Sequence, residues 1–159
     1  MSVRSIRSVA GAILFAVGIA GCSARPPAER WTVMTARAHR EADRRLDAGD
    51  TAGARARLLA LVEAQKAHAG DSPERRLALQ DSYFRLARLA LGDHDPRQAL
   101  RFADAGLTYG TAPHLFVANL LVARGAALEA TGVARAAAAD YQRALAINET
   151  LLGEAAGPK

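Results

Sequence analysis

The chain has 159 residues, of which 50% are hydrophobic, 23% charged and 5% aromatic, with 21 Lys+Arg against 16 Asp+Glu for a net charge of +5. This is the composition of one globular domain plus a terminal extension, and the scarcity of aromatics with abundant alanine favours helices over a β-sandwich core. A lone cysteine, Cys22, excludes an intramolecular disulfide and any zinc site built on cysteines.

The first 21 residues carry two charges, Arg4 and Arg7, ahead of an apolar run from Val9 to Ala20. A basic start followed by an apolar stretch shorter than the roughly 20 residues of a spanning helix is the pattern of a cleavable export signal. At its end, Ile19-Ala20-Gly21-Cys22 resembles the lipobox of bacterial lipoproteins, an aliphatic residue and two small ones before an acylated cysteine. The resemblance implies a signal peptide over 1–21, cleavage before Cys22, and acyl chains on that residue. Multiple chains hold a protein to a membrane where a single one does so only reversibly. An ordinary secretory signal with an incidental cysteine is the alternative reading.

By resemblance to sorting in Gram-negative envelopes, Ser23 after the cysteine implies the periplasmic face of the outer membrane. Residues 22–30 read as a polar tether that Pro26-Pro27 would keep extended. Cleavage would remove Arg4 and Arg7 and lower the net charge from +5 to +3 (5−2). No block of like charges appears, so nucleic acid is not expected as a partner; export argues the same way.

From Trp31 onward the sequence repeats. Ala42 and Ala54, Ala87 and Ala99, and Gly125 and Ala137 are small residues spaced twelve apart, once per copy. Turn signals fall inside each copy at Gly49-Asp50-Thr51, Gly92-Asp93-His94-Asp95-Pro96 and Thr131-Gly132. Others fall between copies at Gly70-Asp71-Ser72-Pro73 and Gly110-Thr111-Ala112-Pro113. Glycine is expected to stop the first helix of each pair, with Asp50 or Thr51, Asp95 and Thr131 capping the next. The reading is all-α: six helices in three antiparallel hairpins, stacked over 31–152, with 153–159 a disordered tail.

Leu121-x-x-Arg124-Gly125-x-x-Leu128 followed by Ala137-x-x-x-Tyr141-x-x-Ala144 resembles the tetratricopeptide repeat, and Tyr83-x-x-Leu86-Ala87-x-x-Ala90 with Ala99-x-x-x-Ala103 resembles it too. The copy around Ala42 and Ala54 is poorer. The intervals of 45 and 38 residues (87−42 and 125−87) exceed the family's usual length, and its closing proline is missing, with Lys66, Thr111 and Glu149 in its place. A generic helical bundle is the competing reading.

The resemblance implies that the first helix of each hairpin lines a concave groove that receives a protein or peptide partner. In that register His39, Asp43, Asp47, Phe84, Arg88, Asn119, Val122 and Glu129 face the groove. His39 and Asp43 stand where carboxylate-clamp members have lysine and asparagine, so that clamp is not expected. Small lipoproteins of this kind assist pilus, secretion or outer-membrane protein assembly; regulation of a cell-wall enzyme is the second role the resemblance allows.

Catalysis and a cofactor are not expected. Phosphate-loop, nucleophile-elbow and zinc-protease signatures do not occur, and the four histidines His39, His68, His94 and His114 are scattered. Ser82 has no histidine near in sequence, which leaves only spatial adjacency to supply a base. In the last helix Leu145, Ile147, Leu151 and Leu152 exceed what one packed stripe uses, which points to self-association or a partner at the C-terminal hairpin, with packing back onto the third hairpin as the alternative reading.

Overall fold

The computed structural model describes residues 27–67 and 72–157, so the expected signal, Cys22, residues 23–26 and His68 lie outside the described residues. Within them the chain is all-helical, and its six helices pair as three hairpins. Helix α1 (Pro27–Asp47) pairs with α2 (Thr51–Lys66), α3 (Pro73–Gly92) with α4 (Pro96–Leu107), and α5 (Leu115–Ala130) with α6 (Ala134–Ala155).

Between hairpins, α3 packs on α1 and α2, and α5 on α3 and α4, while the first and third hairpins do not meet among the described residues. The result is a linear stack. α5, apolar on nearly all sides, lies between α3, α4 and α6 and buries Val117, Ala118, Leu120, Leu121, Ala123 and Ala127.

The twelve-residue spacing marks buried positions. Ala42, Ala54, Ala87, Ala99 and Ala137 are 0–2% exposed, and Gly125 is buried. A Cβ on Gly125 would come within 2.6 Å of the Tyr141 ring on α6, and one on Gly106 would come within 2.7 Å of Leu120 on α5. Neighbouring helices are thus close enough to exclude even a methyl group at these two points. One apolar cluster, from Ala42 and Leu58 through Leu79, Leu86 and Ala103 to Leu120 and Ala123, runs across all three hairpins.

The three turns inside the hairpins share one geometry. Asp50 N–H donates to the Arg45 carbonyl (2.8 Å), Asp95 N–H to Ala90 (2.9 Å) and Val133 N–H to Leu128 (2.9 Å), each reaching back five residues to close the helix end. Each turn needs one left-handed residue. Gly49 (φ 77°) and Gly132 (φ 80°) supply it in the first and third, but in the second it is His94 (φ 58°), not Gly92, which stays in α3. Positions 49, 94 and 132 keep the 45- and 38-residue intervals of the repeat.

Asp50 and Asp95 cap α2 and α4 by accepting from Gly53 N–H (2.8 Å) and Gln98 N–H (2.9 Å). Thr131, expected as a cap for α6, closes α5 instead, its hydroxyl donating to the Ala127 and Leu128 carbonyls, and α6 starts without a side-chain cap.

Both ends of the folded body differ from expectation. α1 begins at Pro27, inside the segment read as extended tether, because proline is well suited to the first helical position. α6 continues to Ala155, past the boundary expected at Leu152, since Gly153 alone does not stop it.

A histidine in the left-handed region is strained where glycine is not. His94→Gly should therefore raise unfolding free energy by about 1 kcal/mol and the melting midpoint by a few degrees, measured by thermal and urea denaturation. An unchanged or lower midpoint would show that the turn carries no strain.

Candidate functional site

The repeat register assigns a groove to the first helices, α1, α3 and α5. On α1 and α3 a polar chain of contacts links the first two hairpins. His39, 8% exposed, sets Nδ1 at 3.1 Å from an Asp81 carboxylate oxygen and Nε2 at 3.1 Å from Ser82 Oγ. Arg85 lies one turn along α3 from Asp81 and donates from Nη1 to Asp43 Oδ1 at 2.8 Å.

Burial pushes the Asp81 carboxyl up, but the hydrogen bond and charge of His39, then those of Arg85, outweigh it and hold the carboxyl below its ordinary range.

Ser82, His39 and Asp81 have the connectivity of a nucleophile, base and orienting acid. Their details favour a structural role. Ser82 is 0% exposed, and its hydroxyl donates to the Ala78 carbonyl at 2.8 Å. That leaves Oγ to accept from Nε2, the reverse of what a base that removes its proton needs. The cluster is a seam between helices.

Beside the seam opens a cleft of about 150 Å³, lined by Ala42, Asp43, Leu46, Leu58, Arg85, Arg88 and Leu89. A cavity of that size holds a group as large as benzene. Its floor is aliphatic, from Ala42, Leu58 and Leu89. Its rim carries two guanidinium groups in different states: Arg85 is committed to Asp43 and Asp81, whereas Arg88 is exposed, lies 5.8 Å over the Phe84 ring and has no carboxylate partner among the described residues. Stacking on Phe84 limits the freedom of Arg88 and leaves its N–H fork open to a carboxylate.

Of the residues assigned to the groove by sequence, Asp43 and Arg88 line this cleft, and Phe84, half-buried against the core cluster, carries the Arg88 guanidinium over its ring. His39 does not line the cleft; it is buried between α1 and α3, where Asp81 and Ser82 offer partners to both ring nitrogens. Asp47 is exposed near the end of α1. Asn119 and Val122 lie on α5 away from the cleft, Val122 being 44% exposed, and Glu129 is held by the Tyr141 hydroxyl at 2.9 Å.

Sequence reasoning did not assign Leu46, Arg85 and Leu89. Leu46 lies three and four residues from Asp43 and Ala42, a visible helical neighbour; the pairing of Arg85 with Asp43 needs the α1–α3 register.

Among the described residues there is no group of three His, Cys, Asp or Glu that could hold a metal ion, and no helix is long and apolar enough to cross a membrane. The chain matches no protein-family model, no curated protein and no solved structure.

The seam makes a pH prediction. Because the folded-state pKa of Asp81 lies below its unfolded value of about 3.8, its stabilisation is complete above that value and is lost as pH falls through the folded pKa. Asp81→Asn should be less stable than the parent at pH 6 and lose less stability between pH 6 and pH 2. Parallel stability curves would show that Asp81 is not tied to His39 and Arg85.

Proposed function

We propose that this chain is a lipid-anchored scaffold of the tetratricopeptide kind, held to a bacterial envelope through Cys22, whose activity is to bind a protein partner. The observation that carries the reading is the cleft between α1 and α3, with its aliphatic floor and the stacked, unpaired Arg88 at its rim. That combination suits a peptide segment placing an apolar side chain between Leu46, Leu58 and Leu89 and a carboxylate on Arg88. The three-hairpin stack and the burial of all six small landmark residues support the tetratricopeptide comparison. The lipobox-like Ile19 to Cys22 supports the anchor, with the periplasmic face of the outer membrane as its location.

Partner binding is also the better account of the Ser82–His39–Asp81 line. A serine with no solvent access and a committed proton serves the α1–α3 seam, and the seam fixes the width of the cleft beside it.

The test is made in cells that process the full chain. A photo-crosslinking residue replaces Leu46 at the cleft or, as a control, Ala139 on the exposed side of α6, and the cells receive a palmitate analogue. Expected are label that Cys22→Ala abolishes, and a crosslinked protein from position 46 that is absent from position 139 and falls at least tenfold with Arg88→Glu. Equal labelling of Cys22→Ala would overturn the anchor. Crosslinking at position 46 that ignores Arg88→Glu would overturn the cleft as the binding site.

A further inference from the structure

Each second helix in the stack has two working faces. One packs on the first helix of its own hairpin. The other receives the next hairpin. The repeat register identifies the second face by the residue eight positions after the small landmark: Val62 after Ala54, Leu107 after Ala99, Leu145 after Ala137.

Val62 is 1% exposed and belongs to the cluster with Leu79 and Tyr83 of α3. Leu107 packs against the cluster of Val117, Ala118 and Leu121 of α5. Leu145 meets no further hairpin among the described residues and is 58% exposed; Leu152, two turns further along the same face, is 71% exposed. The inward side of α6 is already filled separately by Ala137, Ala144, Ile147 and Leu151. Among the described residues, therefore, this seat is filled twice, at Val62 and Leu107, and open once, at Leu145.

Its sequence says what fills it. Seven residues before Leu145 stands exposed Ala138, seven after it Leu152, and exposed Gln142 and Glu149 flank one edge. Turned about a two-fold axis at Leu145, the stripe matches itself: Ala138 of one copy meets Leu152 of the other, small against large. On antiparallel helices the same edges face each other, so the Gln142 amide of one copy comes beside the Glu149 carboxylate of the other. Glu149 is the one charged residue on the stripe between Ala138 and Leu152, and the two-fold places the two Glu149 on opposite sides of the axis.

Stacking end to end fits less well. The outer face of the first hairpin has a cavity lined by Met34, Arg37, Glu41, Arg45 and Arg57, and these charges would be buried against leucines.

We propose that two copies of this chain associate through α6, antiparallel, with Leu145 on the two-fold axis. The interface is isologous and closes as a dimer rather than growing into a fibre. A single helix pair with two exposed leucines from each copy lies at the small end of specific interfaces, so the dimer dissociates on dilution. The proposal is independent of the α1–α3 cleft and would stand if that cleft bound nothing.

The test uses the full chain in detergent with Cys22→Ser, so that introduced cysteines are the only thiols. Under mild oxidation Leu145→Cys should give a disulfide-linked dimer at least tenfold faster than Leu115→Cys, which is equally open on α5 at 55% exposure. A mixture of Ala138→Cys and Leu152→Cys chains should crosslink at least tenfold more than either alone. Leu145→Glu should sediment as a monomer at concentrations where the parent is dimeric, with its melting midpoint little changed at dilutions where both are monomeric. Equal rates for Leu145→Cys and Leu115→Cys would mean association through another face and overturn the proposal. So would a parent that stays monomeric at high micromolar concentration, or a Leu145→Glu chain that stays dimeric.

Discussion

Two helices of a hairpin can lie close only where neither carries bulk at the crossing, and in this protein that constraint recurs at a fixed distance along the chain. Small residues twelve positions apart bring α1 to α2, α3 to α4 and α5 to α6; the larger apolar residues around them, Leu58, Leu86 and Leu121, fill the remaining space. At Gly125 the approach is close enough that a Cβ would come within 2.6 Å of the Tyr141 ring. Because each approach positions the next hairpin, the cleft on one side of the stack and the open face of α6 at its end are both consequences of the same spacing.

Polar contacts fix how the hairpins sit on one another. Arg124 on α5 makes paired bonds of 2.7 Å to both carboxylate oxygens of Asp140 on α6 and a third, of 3.2 Å, to Asp104 on α4, tying two second helices to one first helix. Asp140 is 6% exposed, so an unpaired carboxylate there would be costly; the guanidinium remains charged because those carboxylates favour it. His39 with Asp81 and Ser82, Arg85 with Asp43, and Arg55 with Asp93 do the same between the first two hairpins. The buried contacts, Arg124 with Asp140 and His39 with Asp81, contribute less to net stability than to choosing one arrangement, because their attraction largely offsets the cost of desolvation, and the exposed pairs Arg85–Asp43 and Arg55–Asp93 add little to stability.

What could be read from the sequence was the periodic part. Small residues at equal intervals, glycine and proline turns, and apolar stripes are local patterns, and they predicted the six helices and the buried face of each. What could not be read depends on pairing across hairpins. His39 fits the groove by register, yet the carboxylate and hydroxyl that draw it inward are supplied by α3, more than forty residues away. Glycine was expected to stop the first helix of each pair, but Gly92 stays inside α3 and His94 takes the left-handed position instead. The cleft lay half in view, with Asp43 and Arg88 assigned by register, while Arg85 and Leu89 became part of it only when α3 was set against α1.

Whether the three copies share one register is measured most directly by urea denaturation of four single variants. Ala42→Leu, Ala87→Leu and Gly125→Leu place bulk at the three equivalent approaches, whereas Ala139→Leu places it on the exposed side of α6. The shared register predicts that each of the first three lowers unfolding free energy by about 1–3 kcal/mol or more. Ala139→Leu should change it by no more than about 0.5 kcal/mol. If Ala42→Leu, Ala87→Leu or Gly125→Leu is tolerated as Ala139→Leu is, that helix is not held at a close approach and the common register is contradicted.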